Sequence, residues 1–187
     1  MRLDVFLWIF MIKIALTGGI GTGKTFISKR FLQNGIPVFY ADEEAKKLYS
    51  DEKVLAALRE IFGDSIFHEG KLIFSKLASI VFENDAEMKK LEAIIHPRVM
   101  EEFSKWASQQ KSEEVMMESA IVFEAHLEKY FDKVFVVNAS LPVRMARIRR
   151  RNPEMSDEEI MARINRQIPQ EVKCERADLV IEHDIDI

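Results

Sequence analysis

The chain has one cysteine, Cys174, so neither a disulfide framework nor a thiolate metal cage is open to it, and a reducing cytoplasm is the expected compartment. None of its four histidines stands at metal-ligand spacing from another. It also lacks any surplus of positive charge. At a net −4 it is not expected to bind nucleic acid or a membrane surface as a whole. Long hydrophobic runs are missing too: Val5 to Leu16 is apolar apart from Lys13, whereas a helix crossing a bilayer needs about twenty such residues. A secretory signal fits no better, because Asp4 occupies its positive region and no small-residue cleavage site precedes the glycines. Residues 1–11 therefore read as an extension before a buried strand, with Met11 an alternative start.

What is present is an ordinary globular composition, 48% hydrophobic and 31% charged over 187 residues. That is enough for one well-buried core with a smaller inserted subdomain. Ile12 to Thr17 is a short apolar run feeding a glycine loop, the pattern of a central parallel strand. Helical spacing follows from Lys24 to Asn34, with Ile27, Phe31 and Leu32 expected inward and Gly35 as the stop. Ile36 to Tyr40 reads as a second strand. This strand–loop–helix–strand unit predicts a doubly wound α/β fold around a parallel sheet of about five strands.

Residues 43–111 break the rhythm. Four helical patterns (43–50, 53–62, 74–82 and 86–110) follow one another with no strand among them, only a turn near His68-Glu69-Gly70. The last is expected to be interrupted at His96-Pro97, since proline disfavours helical backbone in the residue before it. The segment reads as a helical insertion. The α/β rhythm returns with strands at 114–118 and 133–138, a helix between them and another from Pro142 to Arg151. Ser156 and Glu159 form a capping box opening a helix to Gln167, and 177–182 closes as a last strand. The core is thus assigned to 12–42 and 112–187, with a lid over about 147–170.

Gly18 to Thr25 satisfies G-x-x-x-x-G-K-[ST], placed directly after a strand and before a helix. Glycines let backbone N–H groups approach phosphate oxygens, and the helix N-terminus adds partial positive charge. Gly19, Ile20, Gly21, Thr22 and Gly23 are accordingly the phosphate cradle, with Lys24 reaching the outer phosphates and the Thr25 hydroxyl as a Mg²⁺ ligand. Asp42, just past the second strand, lies at the carboxyl edge where open α/β sheets bind ligands. It suits a general base toward a substrate hydroxyl, and equally a helix N-cap. Arg144, Arg147, Arg149, Arg150 and Arg151 crowd eight residues, and 144, 147 and 151 share a helical face. They read as phosphate clamps on a hinged segment, or as a solvated charged face. His68 and His126 read as surface residues, and His96 as a turn residue or a ligand group. Glu118 and Glu124 flank the position of a metal-assisting carboxylate without a hydrophobic run ending in Asp to choose between them.

The strings N-K-x-D and D-x-x-G of switch GTPases occur nowhere, nor does an LSGGQ-like transporter signature. A small kinase remains. Its landmarks are IALTGGIGTGKT (14–25), GIPVFYAD (35–42), HP (96–97), IVFE (121–124), Arg147 to Arg151, and RADLVIEHD (176–184). In that order they resemble the dephospho-CoA kinase family over residues 12–184. The resemblance implies ATP as phosphoryl donor, Mg²⁺, and dephospho-CoA as acceptor at its ribose 3′-hydroxyl, in the last step of coenzyme A synthesis. It implies catalytic roles for Asp42 as base, Lys24 and Arg151, with Arg147 and Arg151 on the nucleotide. Thr17, Asp42, His96 and Glu124 fall on the acceptor side, and 43–111 becomes the CoA-substrate domain. A soluble monomer or small homo-oligomer is expected. The chain departs from the family at Tyr40 (commonly Asp), Ala120 (commonly Pro), His183 (Asn) and Ile185 (Gly), and it lacks the closing helix. These departures fall on the adenine side more than on the chemistry.

Overall fold

The computed structural model describes residues 11–185; the expected extension at the N-terminus falls almost wholly outside them. Along the chain, β1 (Ile12–Thr17) leads into α1 (Lys24–Gln33) and β2 (Val38–Tyr40). Then come α2 (Ala41–Leu48), α3 (Glu52–Phe62), a hairpin of β3 (Phe67–His68) and β4 (Lys71–Leu72), α4 (Phe74–Phe82) and α5 (Asp85–Ser108). The chain continues through β5 (Glu114–Glu118), β6 (Lys133–Asn138), α6 (Leu141–Arg151), α7 (Asp157–Asn165), α8 (Gln170–Glu175) and β7 (Leu179–Glu182). It divides into two compact units, one up to Phe39 and from Gln109 onward, the other Tyr40–Ser108. Among the described residues no helix is long and apolar enough to cross a membrane.

The first unit is a five-stranded sheet in the order β2-β5-β1-β6-β7. β1 pairs in parallel with β5 (Ile14 opposite Met116) and with β6 (Leu16 opposite Phe135), and β6 pairs in parallel with β7. A strand covered on both faces should be a continuous apolar run. Ala15 and Leu16 of β1 and Val115, Met116 and Met117 of β5 are completely buried, which makes these strands the core. α1 sits beside the sheet with Phe31 against Phe135 and the small Ser28 at its buried position. Leu32, expected inward, is left in solvent by the last turn of α1.

Two further expectations are corrected in this unit. The connection from β5 to β6 is not a helix but a series of turns ending in one 3₁₀ turn, Glu128–Tyr130. His126 at φ 52° breaks helical backbone within the connection. Secondly, the segment after α7 folds into α8, which the pattern did not announce. The Ser156–Glu159 capping box is formed as its sequence requires.

The second unit is helical, with α2, α3 and α4 packed on α5. α5 buries Leu91, Ile95, Val99, Phe103 and Ala107, a stripe repeating every fourth residue. The interruption expected at His96-Pro97 does not occur: α5 is one helix with Pro97 inside it. Proline removes the bond to the carbonyl four residues back. Here both Pro97 and Ala93 are exposed, so water can take that carbonyl, while the buried stripe on the opposite side holds the helix together. α3 is capped by Asp51, whose side chain accepts from the amides of Lys53 and Val54. Where only a turn was expected, Glu69 (φ 48°) and Gly70 (φ 77°) close a two-residue hairpin loop that requires positive φ at both positions.

Candidate active site

The glycine loop leaves β1 at Thr17 and enters α1 at Lys24, so the helix N-terminus is aimed at whatever the loop surrounds. Two glycines are demanded by geometry. Gly18 has φ 146°, and a Cβ there would stand 2.4 Å from the Val137 carbonyl oxygen. Gly23, the N-cap of α1, has φ 95°, and a Cβ there would meet His183 Nδ1 at 2.4 Å. Within the loop the Thr22 hydroxyl donates to the Gly19 carbonyl at 2.9 Å. Lys24 Nζ folds back onto the carbonyls of Gly18 (2.9 Å) and Gly19 (3.4 Å), where an anion would compete for it. Thr25 Oγ1 donates to Glu118 Oε2 at 3.3 Å, so the last residue of β5 is the carboxylate that meets the loop.

Around this loop stands a collar of side chains from α6, the α7–α8 corner and the segment after β7. Arg144 Nε donates to the Ile20 carbonyl at 3.0 Å. Arg147 donates to the carbonyls of Gly21 (3.3 Å) and Thr22 (2.9 Å), and also to those of His183 (2.9 Å) and Ile185 (2.6 Å), which straps the C-terminal segment onto the loop. Arg144 is 6% exposed, and burial pushes its guanidinium down from the usual value while Glu171 opposes the shift. A guanidinium stays protonated in proteins all the same. Arg151 lies exposed at the carboxyl end of α6. Of the arginines on α6, Arg144 and Arg147 touch the loop.

His183 is 3% exposed, with Nδ1 3.1 Å from the Thr22 carbonyl oxygen and its ring stacked on Phe26 at 5.1 Å. The amides of Gly19 and Ile20 donate to the side chains of Gln170 (2.8 Å) and Gln167 (2.7 Å). Lys173, completely buried, pairs with Glu124 Oε1 at 2.7 Å and donates to the Ala120 carbonyl at 3.1 Å; the Ile168 amide also donates to Glu124 Oε1, at 3.1 Å. The second oxygen of Glu124 and the hydroxyl of Thr17 are buried, and among the described residues no partner is found for either. Gln167, Gln170 and Lys173 were not singled out from sequence, and His183 only as a departure from the family pattern. Neutral amides carry no spacing signal, and the tertiary approach that puts them on the loop is not local.

Asp42 is the second residue of α2, directly beyond β2 in the chain. The N-cap is Tyr40, so Asp42 is a first-turn residue and not the cap. Its carboxylate is exposed, and among the described residues no hydrogen bond or ion pair claims it. His96 lies mid-way along α5, half-buried. Burial lowers its pKa from 6.5, with Glu92 partly opposing. The unfolded chain then binds the proton more readily than the folded one. Stability conferred by the neutral ring is present above the unfolded pKa and is lost as pH falls toward the folded one. On acidification from pH 7 to 5, about the range of an unperturbed histidine, urea midpoints of the native chain are expected to drop further than those of His96→Gln. Parallel slopes would show that His96 does not contribute.

Comparisons with known proteins place the chain in a family. The family model for dephospho-CoA kinase matches residues 12–187. A dephospho-CoA kinase of Bacteroides fragilis is 39% identical over 175 residues, covering 92% of this chain and 85% of that one. A crystal structure from Thermus thermophilus superposes with a TM-score of 0.83 at 30% identity, over 94% of this chain and 90% of that one. The dephospho-CoA kinase of Campylobacter jejuni, at 23% identity, TM-score 0.63 and coverage of 93% and 89%, shares the fold. With a family match from the first strand to the C-terminus, the chain belongs to the dephospho-CoA kinase family.

Proposed function

We propose that the chain transfers the γ-phosphoryl group of ATP to the ribose 3′-hydroxyl of dephospho-CoA, giving coenzyme A and ADP in the cytoplasm. Family membership supports the acceptor. The donor side rests on one observation: the glycine loop runs into the N-terminus of α1 with Lys24 over its carbonyls and Thr25 against Glu118. Loop amides from Gly21 to Thr25 and the helix dipole favour phosphate oxygens, and Lys24 exchanges its carbonyl contacts for the outer phosphates. The Thr25 hydroxyl and the Glu118 carboxylate fit Mg²⁺, a hard cation that takes one or two protein oxygens and leaves its other positions to phosphates and water. Bound there, the ion supplies charge neutralisation to the transferring group.

On the acceptor side Asp42 takes the proton of the attacking hydroxyl, which its exposed and unclaimed carboxylate permits. Residues 43–111 form the acceptor domain, with His96 in it. Thr17 and Glu124 are candidates for acceptor contacts because each holds a buried oxygen with no partner among the described residues. Arg147 and Arg151 act on the nucleotide from the lid, about 147–170.

A panel of acceptors with ATP and Mg²⁺ tests this reading. ADP release is expected with dephospho-CoA and only at background with nucleoside monophosphates, shikimate or no acceptor. Equal turnover without any acceptor would identify a nucleotide-hydrolysing regulatory module instead.

A further inference from the structure

We propose that Gln170, seconded by Gln167, is a positioning residue that sets the shape of the phosphate loop from outside. This rests on the nucleotide reading of that loop. Gln170 is 6% exposed and its amide is used at both ends. Oε1 accepts the Gly19 N–H at 2.8 Å while Nε2 donates to the Val137 carbonyl at 3.0 Å. That carbonyl is the surface Gly18 passes so closely that a Cβ would reach it at 2.4 Å. The first turn of the loop is therefore pinned to the end of β6 through one side chain. A primary amide serves both contacts at once, whereas a carboxylate cannot donate and an apolar side chain does neither.

The neighbouring peptide is held in the same way. Gln167 Oε1 accepts the Ile20 N–H at 2.7 Å, and Arg144 Nε donates to the Ile20 carbonyl at 3.0 Å. With the Gly19 N–H and both polar groups of Ile20 turned outward onto these partners, the chain from Gly21 onward is oriented into the N-terminus of α1, where a phosphate would be held. The clamp needs a rigid base, and α8 has one. Lys173, one turn beyond Gln170, is completely buried on Glu124 and the Ala120 carbonyl, and Glu124 also accepts the Ile168 amide between the two glutamines. The α7–α8 corner thus links the loop after β5, the end of β6 and the phosphate loop.

The test is Gln170→Met, which keeps the length and removes both contacts, in the full chain. Losing a buried hydrogen bond to the loop is expected to weaken ADP binding by calorimetry and raise KM for ATP, each about tenfold. KM for dephospho-CoA is expected to stay within about twofold, since the acceptor does not use this clamp. Unchanged ADP affinity, or equal damage to both KM values, overturns the proposal and leaves Gln170 a packing residue. If Gln170→Met does not fold, the half-buried Gln167→Met carries the same test with the same two outcomes. Because ADP binding needs no acceptor, a native chain that binds ADP but ignores dephospho-CoA would refute the acceptor assignment and leave the clamp standing. A native chain that does not bind ADP overturns the clamp.

Discussion

Asp42→Asn is expected to lower kcat by about 10²- to 10⁴-fold, the usual range for removing a general base, or roughly 3 to 5 kcal/mol of barrier. The substitution is nearly isosteric, so the prediction separates charge from shape. Asp42 does not cap α2, because the N-cap is Tyr40 and that residue makes no side-chain cap hydrogen bond. What asparagine removes from the helix is one favourable charge in the first turn, beside Glu43 and Glu44, worth about 0.3 to 1 kcal/mol. Thermal stability should therefore barely move while turnover collapses. ATP affinity, measured by calorimetry without acceptor, is expected to remain at the native level. Near-full turnover in Asp42→Asn would return the residue to an ordinary first-turn acid and send the search for the base elsewhere in 43–111.

Much of this protein could be read before its structure, and the parts that could share a physical character. The strand–loop–helix passage from Ile12 to Gln33 is legible because each step is local: an apolar run, glycines where positive φ is needed, then a lysine and threonine opening a helix. The capping box at Ser156 is legible for the same reason. Misreadings arose where tertiary packing overrode a local rule. Pro97 should end a helix, yet the buried row from Leu91 to Ala107 carries α5 through it. The passage after β5 has enough apolar residues for a helix, but it folds as successive turns with His126 at positive φ inside it. In the site the divide is similar. Arg147 was found from its spacing, whereas Gln167 and Gln170 reach the loop from about 150 residues away in sequence. Glu118 and Glu124 looked alike in sequence. Only the structure distinguishes them, one turned to Thr25 and the other to Lys173.

Lys173→Met is expected to destabilise the chain by about 3 to 5 kcal/mol, the range seen when one partner of a buried ion pair is removed. For a chain of this length that corresponds to a melting temperature lower by roughly 6 to 20 °C. The cause is what stays behind. Glu124, only 20% exposed, would keep a carboxylate with the Ile168 amide on one oxygen and no partner among the described residues on the other. The Ala120 carbonyl would lose its donor as well. The pair itself is not a large source of stability, because desolvating an ammonium and a carboxylate offsets most of their attraction. Burial pushes the Lys173 ammonium down from its usual range and the nearby Arg144 adds to that, while Glu124 opposes the shift. The double variant Lys173→Met/Glu124→Leu is therefore expected to regain most of the loss, since neither charge of the pair is left buried without the other. It should still bind ADP more weakly than the native chain, because α8 would be docked without the polar contacts that fix the height of Gln170 over the loop. Full recovery of stability with native ADP affinity would show that the ion pair is dispensable to the loop; a double variant no more stable than Lys173→Met would show that packing, not the stranded charge, is what the single substitution breaks.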